Sequence, residues 1–158
     1  MKRLLVVALV AALVTVACGN DGTPTATTDR GSDGLGSDSV LVDVVYISHI
    51  AGSDDVANDI AELFTDRPGT TVTLHDITTA GGQAFATEQN VSDKFAVLVN
   101  GSAEHSLAGR IITLTDFPSG RGTSDVPGGG WTFDDLRQLV DSLTASGLRR
   151  AAGAATGS

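Results

Sequence analysis

Residues able to do chemistry are sparse in this 158-residue chain: one cysteine, Cys18, and three histidines, His49, His75 and His105. A lone thiol cannot close an internal disulfide or supply a two-thiol redox centre. Metal binding needs three or four converging ligands, and with Met1 as the sole methionine there is no soft copper site beyond Cys18. His49 falls in an expected turn, His75 on an expected strand and His105 in an expected hairpin loop, so no metal ligands are assigned. Ser53 follows His49 by four residues, a possible nucleophile and base, but a helix N-cap role explains Ser53 without a triad. Asp29, Asp33 and Asp38 are spaced like calcium ligands. The twelfth position counted from Asp29 is Val40, not the bidentate acid such a loop requires. Gly128-Gly129-Gly130 has neither the preceding strand nor the following lysine of a phosphate loop. No catalytic residue and no cofactor are therefore assigned. The alternatives are an enzyme using His49 and nearby carboxylates for acid–base chemistry, or a protein that binds a small ligand or a metal.

The bulk numbers narrow the partners. Net charge is -9 and the pI is near 4.5. Residues 1–17 contain Lys2 and Arg3 and no acid, so without them the charge becomes -11. That balance repels phosphates, which excludes nucleic acid and anionic headgroups as direct partners. The hydrophobic fraction of 41% suits one folded domain with polar ends.

Lys2 and Arg3 precede an apolar run over residues 4–17, too short to span a bilayer but suited to the apolar part of a signal peptide. It ends Thr15-Val16-Ala17-Cys18-Gly19, which resembles the bacterial lipoprotein signal, with Thr15 where that family usually has leucine. The resemblance implies cleavage after Ala17 and a diacylglycerol on Cys18, enough for stable anchoring. It also implies an extracytoplasmic protein held to the bacterial cell membrane; ordinary secretion with a free Cys18 thiol is the alternative. Residues 18–39 then form a Gly/Ser/Thr/Asp linker with one strongly apolar residue, Leu35, a coil spanning roughly 25 Å. Residues 148–158 have no core-facing pattern and read as a disordered tail. The domain occupies residues 40–147.

Within it, residues 40–48 form a near-continuous apolar strand interrupted by Asp43, expected to be buried on both faces. Residues 49–52 turn into a helix with Ser53 as its cap and Asp54 and Asp55 in the first turn. Val56, Ile60, Leu63 and Phe64 recur at helical spacing. Residues 70–77 alternate as a second strand, parallel to the first across the helix. A short helix is expected over 81–89 with Phe85 as its core residue. A buried strand over 95–99 is followed by a long loop and a strand over 111–117. Residues 118–130 read as a mobile glycine-rich connector. A last helix starts at Thr132 with a capping box to Asp135 and a Trp131–Leu136 staple, buries Phe133, Leu136, Leu139, Val140 and Leu143, and closes at Gly147.

This order, β-α-β-α-β-β-α, resembles the thioredoxin fold. Leu74-His75-Asp76-Ile77 resembles that family's second strand leading into its Asp-containing turn, and Phe95-Ala96-Val97-Leu98-Val99-Asn100-Gly101 its apolar strand ending in Asn-Gly. The resemblance implies a three-layer α/β/α sandwich around a mixed four-stranded sheet. The family's functional motifs are missing. Ile50-Ala51-Gly52-Ser53 stands where its Cys-x-x-Cys lies, Asp93 is near the position of its cis-proline, and Asp43 is one residue from its buried acid. Thiol–disulfide exchange needs a thiolate that residues 40–147 cannot supply. The resemblance therefore implies a redox-inactive binding or scaffolding module with an envelope protein as partner. The expected contact surface is the emptied edge: His49, Ile50, Ala51, Gly52, Ser92, Asp93, Lys94 and the 118–130 loop.

Overall fold

The computed structural model describes residues 39–155, with side chains through Arg149. The expected signal peptide, Cys18, nearly all of the expected linker and the last three residues lie outside the described residues. The chain is a mixed α/β domain. In order it contains β1 (Val40–Tyr46), α1 (Ser53–Leu63), β2 (Thr70–Asp76), α2 (Ala80–Glu88), β3 (Phe95–Val99), β4 (Glu104–Leu107), β5 (Arg110–Thr113) and α3 (Phe133–Ala155).

β1 is the central strand of a three-stranded sheet ordered β2-β1-β3. It pairs in parallel with β2, Val40 opposite Thr70 and Tyr46 opposite Asp76, and antiparallel with β3, Val42 opposite Val99 and Tyr46 opposite Phe95. Side chains alternate across a strand, so β1 presents Val40, Val42 and Val44 to one face and Leu41, Asp43 and Val45 to the other. The first face carries the main core. It is built with Val56, Ala57, Ile60 and Phe64 from the α1 region and Leu136, Leu139 and Val140 from α3. Phe95, Phe117, Leu114 and Trp131 complete it, with Phe95 and Phe117 edge to face at 5.0 Å. α2 lies against the second face, where it buries only Gly82 and Ala86.

Several expectations need correction. Phe85 is half-buried rather than a core residue, and its ring stacks on His75 at 3.6 Å between centroids. The cap of α1 is Gly52, left-handed at φ 81, with no side-chain cap bond; Ser53 is the first helical residue and fully buried. α3 continues through Gly147 to Ala155. A helical glycine costs only about 1 kcal/mol, and the Leu-Arg-Arg-Ala-Ala run that follows is rich in helix formers.

The expected four-stranded sheet is observed as three strands plus a separate two-stranded hairpin, β4 with β5. Asn100 and Gly101, both at positive φ, make a tight turn in which Val99 and Ser102 exchange backbone hydrogen bonds. Ala108 and Gly109, also at positive φ, close the β4–β5 hairpin with two residues. Past β5 the chain returns to β3. Val97 N donates to Leu114 O at 2.8 Å and Asp116 N to Phe95 O at 3.0 Å, around an antiparallel bridge between Ala96 and Thr115.

Residues 118–130 form a folded loop rather than a bare connector. Phe117 N donates to Pro127 O, Gly129 N to Phe117 O, Thr123 N to Val126 O and Ser119 N to Trp131 O. Val126 and Trp131 are fully buried, and Trp131 Nε1 donates to Thr115 O at 3.1 Å. The expected box at α3 is present: Thr132 N and Oγ1 donate to Asp135 Oδ2, and Asp135 N donates to Thr132 Oγ1. No helix among the described residues is long and apolar enough to cross a membrane.

Candidate functional site

The carboxyl ends of β1 and β2 and the amino end of β3 meet at one edge of the sheet, because β3 runs against the other two. The turn after β1 is shaped by its backbone: Ile50 N donates to Ile47 O, and Ser53 N to Ile50 O. His49, Ala51 and Gly52 are exposed, whereas Ile50 packs partly against the core. Ser92, Asp93 and Lys94 are exposed just before Phe95, whose cross-strand partner is Tyr46. Lys94 Nζ donates to Asp125 O at 3.0 Å, which ties this segment to the folded loop. A Cβ placed on Gly52 would sit 3.8 Å from Thr123 Cγ2 and 3.9 Å from Phe117 Cε2, so the same loop also lies against the turn. The segments singled out from the sequence thus form one contiguous surface.

Asp76 organises that edge. Its Oδ1 accepts from Thr78 N at 2.9 Å and from Ser48 N at 3.4 Å, and its Oδ2 accepts from Thr78 Oγ1 at 2.8 Å. Those bonds, led by the one from the Thr78 backbone, hold its carboxyl at about 2, below the ordinary 3.8, because they favour the ionised form. Tyr46 beside it has its phenol pushed up, first by burial and then by the negative charges of Asp54 and Asp76. The edge is therefore rich in carboxylate, with Lys94 the single lysine of the described residues.

Of the three histidines, His49 is exposed and has no side-chain hydrogen bond or ion pair with a described residue. His105 Nε2 lies 2.8 Å from Ser102 O on the hairpin. His75 has the partner that sequence reasoning missed: its Nε2 is 2.8 Å from Asp43 Oδ1. The register of the parallel pair explains it, with Asp43 opposite Thr73 and His75 two residues further along the same face. Phe85 covers the imidazole, leaving both partners with under a fifth of their side-chain surface exposed. Such a pair can orient an imidazole, but no nucleophile among the described residues is hydrogen-bonded to it. No group of three or more His, Cys, Asp or Glu among the described residues is placed to hold a metal ion.

No family model, curated protein or solved structure matches the chain.

Proposed function

We propose that this chain is a bacterial envelope lipoprotein whose domain, thioredoxin-like in order and free of thiols, works by binding a protein partner rather than by catalysis. The observation that carries this reading is the convergence of the 49–52 turn, residues 92–94 and the folded loop on one surface, at the edge where a thioredoxin would hold its reactive thiols. The sheet order supports the fold assignment, with β3 antiparallel to β1 and the Ala96–Thr115 bridge marking where a fourth strand would add. The charge-to-apolar-to-Ala17-Cys18 pattern of the N-terminus supports anchoring through an acylated Cys18, outside the cytoplasm. The carboxylates around Asp76, Asp54 and Asp93 favour a partner presenting a basic face. Acid–base catalysis at His49 gains no hydrogen-bonded carboxylate from this geometry.

A photo-crosslinker at exposed Ala51, compared with one at exposed Ile111 on the distant hairpin, tests the surface in native membranes. Ala51 is expected to trap one discrete partner, and Asp93→Asn with Asp125→Asn to weaken that trapping. Equal products from both positions, or trapping indifferent to those charges, contradicts the reading. Deleting the 118–130 loop is no clean control, because it removes the buried Val126.

A further inference from the structure

Between α1, α3 and the 118–130 loop, a cleft of about 320 Å³ is lined by Asp59, Glu62, Leu63, Arg121, Phe133 and Arg137. Its charged groups are not equally committed. Arg121 is held twice, by an ion pair to Asp59 and by a cation–π contact 5.6 Å from the Phe133 ring centroid, so it acts as a fixed wall. Among the described residues Arg137 is paired only with Asp134, three residues earlier on the same helix, and the two side chains are 43% and 78% exposed. An exposed pair of that kind is worth about 0–1 kcal/mol, and a guanidinium has further N–H donors to offer. Glu62 is exposed and ion-paired to no described side chain. The cleft is therefore lined by an available cation, an available anion and the apolar side chains of Leu63 and Phe133.

Those four charges sum to zero in a chain of net charge -9. A ligand carrying only negative charge would meet Asp59 and Glu62; one carrying only positive charge would meet Arg121 and Arg137. The complement is a small molecule with both charges and an apolar body, and the volume lies at the lower end of small-ligand pockets. We infer that this cleft binds a free α-amino acid with an apolar side chain: Arg137 takes the carboxylate, Glu62 the ammonium, and the side chain rests on Phe133 and Leu63. This site borders the proposed partner-binding surface, since Arg121 belongs to the 118–130 loop, but the inference does not rest on that reading.

Amide chemical-shift titration of the intact domain with leucine, valine and phenylalanine is the test. Expected are saturable shifts confined to residues 59–63, 121 and 133–137 at millimolar amino acid. N-acetyl-leucine, which lacks the ammonium, and leucinamide, which lacks the carboxylate, should each bind about tenfold more weakly, as should Glu62→Gln and Arg137→Gln with leucine, each having lost one charge-assisted bond. Both substitutions are at exposed or half-exposed positions, so unchanged spectra elsewhere will report intact folding. The inference is overturned if none of the three amino acids shifts these amides, or if the two single-charge analogues bind as well as leucine.

Discussion

Gly81 and Gly82 are neighbours in α2, yet alanine should act on them in opposite directions. A Cβ on Gly82 would lie 2.0 Å from the Asp76 carbonyl oxygen, so α2 can approach the end of β2 only with no side chain there. Gly82→Ala is expected to cost at least about 1–3 kcal/mol, the ordinary penalty of overpacking. A Cβ on Gly81 meets nothing within 4 Å, and Gly81→Ala should stabilise by about 0.5–1 kcal/mol by restricting the unfolded chain. Urea midpoints read from Trp131, the single tryptophan and fully buried, will separate the two. Ser53 offers a second reversal. Its hydroxyl is buried with no hydrogen-bond partner among the described residues, so Ser53→Ala is expected to raise stability by about 1 kcal/mol. A loss of similar size would mean that the hydroxyl does have a partner. The sequence showed a serine at a helix start and suggested the usual cap. It did not show that Gly52, at φ 81, would turn the chain one residue earlier and send the serine inward.

Among the elements, the link between β1 and β2 should give the domain an acid-sensitive edge. Asp76 titrates at about 2 when folded against an ordinary 3.8, so as pH falls protons bind the unfolded chain first. Its contribution to stability is complete above 3.8 and is lost as pH falls from there to about 2. Asp76→Asn is expected to flatten the pH dependence of the urea midpoint across that window; an unaltered slope would remove Asp76 as the source. Asp135 adds a second acid-limb contribution. Burial would raise its carboxyl, but the Arg110 side chain, the Thr132 hydroxyl and backbone bonds, and the Arg110 charge together hold it below the ordinary value. The cap it makes with Thr132 was legible because its spacing is local and its chemistry is fixed by residue type. The apolar strand of β1 and the stripe of α3 were legible for the same reason, each being written in a short period, and the parallel pairing of β2 followed from the helix that joins it to β1. The β4–β5 hairpin was not. Its strands are four residues each, and its turn places Ala108 at φ 50, where asparagine or glycine would have advertised it. The order within residues 118–130 was hidden too, since it rests on Val126 and Trp131 packing across the fold rather than on any local pattern.

At the scale of the whole molecule, the two proposed binding regions are the sheet edge and the α1–α3 cleft. The pair most like catalytic machinery, Asp43 with His75, is covered by Phe85. The contiguous edge could be anticipated because strand order alone brings residues 49–52 and 92–94 to the same end. The Asp43–His75 pair and the cleft could not, since both need side-chain placement across elements. The proposed binding module would be brought to its partner by acylation of Cys18, the chain's sole thiol. Mass spectrometry of the mature N-terminal peptide from native membranes tests that most directly. The expected result is a peptide beginning at Cys18 and heavier by a diacylglyceryl group, with Cys18→Ala no longer processed to that form. A soluble protein with an unmodified Cys18 thiol would contradict it.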